Sequence, residues 1–569
     1  MDAHKRSVFE IFTGNRVLEI PFFQRDYVWD EPEWERLLED VTEASVIGMP
    51  YFLGPVILKQ ESTPTDGRVG DVRTVIDGQQ RLMTLNILFK VLCQKNEEMH
   101  RYNKRFRLDD DNPVLKPSQK DEISFGNIMK AGSGEYVEGT DRISRAYRYF
   151  DDKIEPSKVD FTVGDWLHFV LIDLLADDDE QQIFDTINSL GVRLTTAELL
   201  KNYFFRRDEL ASYESYWKDV FEKDDEARKY WDREITTGNM KRSLIDLFFF
   251  SFLQIKIQDR SLGVSAIDKQ AFSKVEKLFD SYKRFIKNYL GDNKEGILKE
   301  IHQYANTFFN SINPDIVDES LSAEAGIERL NAIIFGLDTT TLIPYVLFVE
   351  QNVPDVSVKN ELYRYLEAYI MRRIIARAST KAYNQLFTDR LILRRILTNG
   401  ELKEQLTARE EPVYRMPSDE HVYRAFEEEI LTNKNARGVL YMIETKIRDP
   451  KRHSTQLLGL SKYSLEHIMP KKWYNNWTNP KEPFSKEDRD RLLLTLGNLT
   501  IITQALNASI RDANWTMKKK GANSKGGLKS YSQGIEILSS FLDENKWDEV
   551  QIVGRAQFLA EKAVEIWMP

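Results

Sequence analysis

Cysteine is almost missing from this chain: Cys93 is the single one in 569 residues. That count excludes a disulfide framework and any multi-thiolate zinc site, and a reducing cytoplasm is the expected location. Histidine is scarce too, with seven in all and none beyond position 467. No apolar run approaches the roughly 20 residues that cross a bilayer. The strongest, Leu247-Phe248-Phe249-Phe250-Ser251-Phe252-Leu253, reads as a buried helix, so no membrane partner is expected. The first residues, Met1-Asp2-Ala3-His4-Lys5-Arg6, run into charge without an apolar stretch, and no signal peptide is expected. A Walker A phosphate loop is absent. So is any excess of positive charge: the formal net charge is −10, which argues against indiscriminate coating of nucleic acid. Local basic surfaces remain open at Arg372-Arg373 with Arg377 and Lys381, and across residues 518–529. Either run is more often a solvated face.

What is present fits a globular protein of about two to four domains, 30% charged and 41% hydrophobic. The expected class is α+β, predominantly helical, in three parts: 1–225, 226–450 and 451–569. The first part mixes strands (17–23, 51–58, 73–76) with helices (31–41, 82–93), a polar turn at 62–70 and a polar excursion over 98–142. A helix at 181–187 breaks at Asn188-Ser189-Leu190-Gly191, and Thr195 caps the next one, with Glu198 completing a capping box. The middle part is helical nearly throughout and offers no chemistry. The last part reads strand, loop, strand, helix, then helices at 534–542 and 553–566. Trp473, Trp477, Trp515 and Trp567 are its expected core.

Two stretches carry chemistry. The first opens with Glu466-His467-Ile468-Met469-Pro470 and continues through Gly497-Asn498-Leu499-Thr500, Asn507 and Lys518-Lys519-Lys520. Phosphodiester hydrolysis needs an activated water and a cation on the scissile phosphate. An imidazole titrating near neutrality suits the base, and carboxylate and amide oxygens suit Mg²⁺. A His beside a Glu is commonly structural, and Gly-Asn-Leu alone is only a turn signal. The order and spacing of all the parts favour the catalytic reading.

Those motifs resemble the ββα-metal HNH nuclease domain and, more closely, the DUF1524 module of modification-dependent restriction enzymes, over about residues 455–569. The resemblance implies His467 as general base, Glu466 and Asn507 as metal ligands, Asn498 as the residue orienting the base, and DNA contact at Lys518, Lys519 and Lys520. With Asn rather than His at 507, a single Mg²⁺ or Mn²⁺ is expected instead of zinc.

The second stretch is Asp77-Gly78-Gln79-Gln80-Arg81, between a strand and a helix. Backbone amides at a helix N-terminus receive phosphate, Arg81 is placed to pair with it, and Gly78 permits close approach. Alone, such a turn is also a plain helix cap. With Pro21-Phe22-Phe23-Gln24-Arg25-Asp26-Tyr27-Val28-Trp29 and residues 184–202, it is similar to the DUF262 module, of ParB/sulfiredoxin-like fold, over about residues 8–210. That resemblance implies binding and hydrolysis of a nucleoside triphosphate, with Gln24 and Arg25 near the pocket or sensing modified DNA. Tyr27 and Trp29 are equally readable as core aromatics.

The order of the two modules resembles GmrSD-type (type IV) restriction enzymes, with the BrxU and SspE proteins as relatives. It implies an NTP-regulated, metal-dependent endonuclease that nicks or cleaves modified double-stranded phage or foreign DNA. A homo-oligomer is left open. The alternative is a nucleotide-dependent DNA-binding or toxin-like protein whose HNH module is inactive or directed at RNA.

Overall fold

The computed structural model describes residues 2–13, 15–21, 26–61, 71–175, 178, 195–205, 209–237, 240–291, 293–407, 413–449, 456–510, 512–521, 526–531 and 535–569. The class is α+β and mostly helical, as the sequence predicts. The chain forms two compact units, Met1–Lys218 and Asp219–Pro569. None of its helices is long and apolar enough to cross a membrane, among the described residues.

In the first unit β1 (Asp2–Ser7), β2 (Arg16–Glu19), β3 (Tyr51–Gln60), β4 (Asp71–Asp77), β5 (Leu115–Lys116) and β6 (Leu167–Leu174) make one mixed sheet. Its order is β1-β6-β3-β4-β2-β5. β6 runs parallel to β3, and β2 parallel to β4 and β5, while β1 and β4 are antiparallel to their neighbours β6 and β3. The helix Glu31–Ile47 starts where the sequence places it, with Asp30 and Glu33 closing a capping box and Pro32 in the first turn. Trp34, Leu37 and Val41 then face the core. The helix Gln79–Lys95 is buried on almost every side, although Gln79, Gln80, Thr84, Asn86, Lys90 and Gln94 lie on it. Several of its polar residues are satisfied inside: Lys90 donates to the Met129 carbonyl and Gln94 to that of Ala131. Tyr27 is a core aromatic, its hydroxyl 2.6 Å from that of Thr84 and accepting from the Trp34 indole at 2.8 Å.

Two expectations for this unit are corrected. The helix expected at 82–93 begins at Gln79, so Gln79, Gln80 and Arg81 sit in its first turn. The stretch 98–142 is no excursion: it holds the helices Met99–Phe106 and Glu122–Lys130. Tyr102, Phe106, Val114, Leu115, Phe125 and Ile128 from it are buried in the core. Their dense polar neighbours hid one narrow apolar face. Thr195 caps the helix Thr196–Phe204 with the expected box to Glu198. The expected helix at 181–187 and its break at Asn188 and Gly191 lie outside the described residues.

The second unit adds a hairpin, β7 (Glu234–Thr237) and β8 (Met240–Ser243), and a strand pair, β9 (Tyr463–His467) and β10 (Leu499–Thr503). Helices make up most of the rest. The Phe-rich run is the helix Leu244–Lys256, and Phe248 packs with Phe221, Trp231 and Phe308. Arg372 and Arg373 are not a basic surface. Both are buried, Arg372 bound to the carbonyls of Trp567 and Pro417 and to Asp419, Arg373 to those of Arg415 and Ser379. Trp567 also donates its indole N–H to Glu367 at 2.9 Å, and Glu367 receives a two-pronged pair from Arg329 at 2.7 and 2.8 Å.

That Arg329–Glu367 pair is buried, so losing one partner strands the other's charge. Arg329→Met is expected to destabilise the second unit by about 3–5 kcal/mol. Denaturant unfolding measures it, and a change below about 1 kcal/mol would contradict the assignment.

Candidate functional site

The strand pair positions the C-terminal motif. β9 and β10 are antiparallel with His467 opposite Leu499 and Glu466 opposite Thr500. Adjacent strand residues point to opposite faces, so Glu466 and His467 part company. Glu466 turns into the module and meets the ammonium of Lys518, which also donates to the His467 carbonyl at 2.7 Å. Asn514 caps the helix Trp515–Lys520, and a three-residue step puts Trp515 and Lys518 on its inner face. Burial raises the Glu466 pKa against the opposing pull of Lys518, and burial lowers the Lys518 pKa against that of Glu466. Both shifts weaken the charges of the pair.

His467 is half-buried. Burial first, then the ammoniums of Lys471 and Lys518, push its pKa down to about 4. The ring is therefore a neutral base at physiological pH, and none of the described residues hydrogen-bonds it.

Asn498 does not touch that ring. Its Oδ1 accepts from the Met469 N–H at 2.8 Å and the Trp547 indole at 3.1 Å. Its Nδ2 donates to the carbonyls of Met469 at 2.8 Å and Leu493 at 3.1 Å. With the Asn498 carbonyl also taking the Ile468 N–H, the amide clamps the two residues after the histidine. Its influence on His467 runs through the backbone. Asn507, half-buried on the helix Gln504–Ile510, donates to the Leu465 carbonyl at 3.3 Å, which leaves its Oδ1 without a donor among the described residues. Lys518 is fully buried and presents no charge to a phosphate; Lys519 donates to the Glu544 carbonyl, and Lys520 is the exposed one of the three.

Arg555 escaped the sequence reading. Fully buried on the helix Glu549–Ile566, it donates to the carbonyls of Leu496, Gly497, Leu499 and Ile537 at 2.8–3.1 Å. Burial without a carboxylate pushes its pKa down to about 9. Gly497 makes the approach possible, since a Cβ there would lie 2.3 Å from the Ile552 carbonyl oxygen. Nothing in the local sequence marks Arg555, because its partners are backbone groups of a distant turn.

In the first unit, Asp77 ends β4 and Gly78 turns the chain with φ +97° into the helix Gln79–Lys95. A Cβ at Gly78 would press within 2.7 Å of Val56. That helix start has no side-chain cap, and the buried Gln79 Oε1 has no hydrogen-bond partner among the described residues. Gln80 accepts from the Val28 N–H at 2.8 Å and donates to the Asp26 carbonyl at 3.2 Å, tying the two N-terminal motifs together. Arg81 donates to the Leu53 carbonyl at 2.8 Å and to Asp77 at 3.4 Å, which spends two of its five N–H donors. Gln24 and Arg25 lie outside the described residues.

Residues 8–205 match the family described as the N-terminal domain of GmrSD restriction endonuclease, and residues 416–562 match the C-terminal domain of GmrSD restriction endonucleases. The protein is thus a restriction endonuclease, and DNA is its substrate. The matched segments together span more than half of the chain, which belongs to the GmrSD family. No curated protein matches it. The C-terminal match begins at 416 and so takes in the helices Asp419–Glu428 and Asn433–Ile447. Glu444 on the second accepts from the N–H groups of Glu536 and Ile537, and Arg437 donates to the Tyr463 carbonyl of β9.

A pH signature follows from His467. Its folded pKa, about 4, lies below the ordinary 6.5, so between these values the unfolded chain binds the extra proton. Its contribution is full above pH 6.5 and is lost as pH falls toward 4. In metal-free protein the wild type should therefore lose up to about 3 kcal/mol relative to His467→Gln over that window, read by unfolding at each pH. Parallel curves would refute it.

Proposed function

We propose that the protein is an NTP-regulated, metal-dependent endonuclease that restricts modified DNA, with cleavage at an HNH-type site on β9 and β10. The observation carrying this reading is the neutral His467 at the end of β9, with Asn498 clamping the residues that follow and Asn507 tied to the strand before it. The chain then works in three functional parts: a ParB/sulfiredoxin-like nucleotide module to about 225, a helical middle, and the nuclease module from about 451.

Glu466 and Asn507 are the residues that would hold Mg²⁺ or Mn²⁺. Among the described residues no group of three or more His, Cys, Asp or Glu side chains converges on a point, so a dedicated protein cage does not fit. A sparsely ligated, hydrated ion, which Mg²⁺ accepts with one or two protein oxygens plus substrate phosphate, would fit only with Glu466 released from Lys518 and turned toward the face that carries His467. Such an ion stabilises charge on the phosphate and the leaving oxygen. Lys518, which already holds Glu466, would compete with such an ion for that carboxylate. His467 accepts a proton from the attacking water on a ring nitrogen, and Asn498 holds the backbone that sets the ring's position. At the other motif, the uncapped helix start after Gly78, the unpartnered Gln79 and the remaining N–H donors of Arg81 bind the triphosphate, whose occupancy gates cleavage. Lys520, the exposed one of the three, contributes DNA contact from the helix that carries Lys518.

The pairing of Glu466 with Lys518 favours a second reading, a nucleotide-dependent DNA-binding protein with a silent nuclease module. Metal-dependent nicking of plasmid separates the two. His467→Ala should lower cleavage by about 10²–10⁴-fold and leave NTP hydrolysis intact. Loss of both activities in a folded variant would overturn the site assignment. Arg81→Ala should slow NTP turnover about 10- to 100-fold, as loss of a charged hydrogen bond does. Unchanged turnover would remove Arg81 from the pocket.

A further inference from the structure

We infer that the turn 470–477 is the surface that holds the DNA strand at the nuclease site, with Lys471 and Lys472 on backbone phosphates and Tyr474 packed on the adjoining sugar and base. The inference rests on the reading of His467 as the base. It differs from the expectation that Lys518 to Lys520 supply the contact, since Lys518 is buried and paired.

Among the described residues 456–569, six of the eleven lysines are occupied, Lys462 by Asp318 and Lys518 by Glu466 among them. Lys519 donates to the Glu544 carbonyl, and Lys529, Lys546 and Lys562 pair with Asp543, Asp548 and Glu565. Lys471 and Lys472 are exposed, and among the described residues neither has an ion-pair partner. An unpaired ammonium is the group that phosphate binding uses, because each contact releases condensed counterions. Tyr474 stands 66% exposed beside them. Lysines interleaved with an exposed ring are a composition suited to a nucleic-acid strand, with charge for the backbone and a flat apolar face for the base.

Rigidity is the second argument. The turn is held from behind by its other side chains. Trp473 is buried, donates to Asp490 at 2.7 Å and carries the Arg489 guanidinium 4.6 Å from its ring. Asn476 donates to the Asp512 carbonyl at 2.9 Å, and Trp477 to that of Ala513 at 3.2 Å. These bonds fix the turn to the segment just before the helix that carries Lys518. The Asn498 clamp on Met469 fixes its other end to the strand carrying His467. The two lysines and the tyrosine are thus presented outward at a set position next to the base, and little ordering remains to oppose binding. Lys471 is near enough to His467 to help lower its pKa.

The test uses the full chain in EDTA, so that binding is read without cleavage, with fluorescently labelled duplex DNA titrated at salt concentrations from about 50 to 200 mM. The double variant Lys471→Ala, Lys472→Ala should reduce the slope of log affinity against log salt by about 1.8, roughly 0.9 per phosphate contact. Lys471→Arg with Lys472→Arg should restore it. On a labelled duplex carrying a single-stranded gap, where base faces are open, Tyr474→Ala should weaken binding about 5- to 100-fold, and Tyr474→Trp should not. An unchanged slope in the double alanine variant, with the protein folded by circular dichroism, would overturn the inference. Lys546→Ala, at a lysine already paired with Asp548, should bind with the wild-type slope. If His467→Ala still cuts in Mg²⁺, the catalytic reading fails, while the slope continues to judge the turn on its own.

Discussion

The candidate nuclease site depends on one side-chain amide. Asn498 is fully buried, and all four of its hydrogen-bonding positions are filled, by Met469 twice, by Leu493 and by Trp547. A buried amide left half-satisfied costs about 1–3 kcal/mol per group, so the turn before β10 and the turn after β9 cannot separate cheaply. Aspartate would lack the two donors, and leucine would lack everything. Arg555 reinforces the same turn from beneath through the carbonyls of Leu496, Gly497 and Leu499. His467 thereby inherits a fixed backbone without any side chain gripping its ring.

Around that knot the second unit places an unusual number of charges out of water. Arg329 with Glu367, Arg489 with Glu549 and Lys518 with Glu466 are all paired inside. Pairs of this kind are weak evidence for net stability, because desolvation offsets the attraction. Their consequence is geometric: each charge has one low-energy location, and a shifted packing would leave it unpaired. Trp567 illustrates the effect, joining Glu367 through its indole and Arg372 through its carbonyl. The last helix is held at Arg555 and, just beyond its end, at Trp567, so a chain of polar contacts runs from the Gly-Asn-Leu turn through that helix to the helix Val356–Ile375.

The first unit solves a different problem. A strand must hand over to a central helix whose first amide groups remain available, and Gly78 does this at a φ that other residues rarely adopt. The neighbouring Gln80 binds the 26–28 backbone, so the two N-terminal motifs form one physical assembly although about fifty residues separate them. Gln79, by contrast, keeps a buried oxygen unpartnered, which a folded chain tolerates where a ligand can complete it.

Much of this was legible in the residues alone. Periodicity located the helix Glu31–Ile47, and runs of apolar and β-branched residues located the strands β3 and β4 and the Phe-rich helix, because each places apolar side chains in a core. Local rules also placed the cap at Thr195, since a cap bonds only to its own helix. The motifs around His467 and Gly78 pointed to their family through order and spacing. Tertiary structure alone decided where the charges went. Lys518, Arg372 and Arg373 read as surface in a linear scan, yet each is buried because its partners come from distant segments. The polar stretch 98–142 hid its core residues for the same reason: burial depends on what packs opposite, and a single chain segment carries no record of its neighbour.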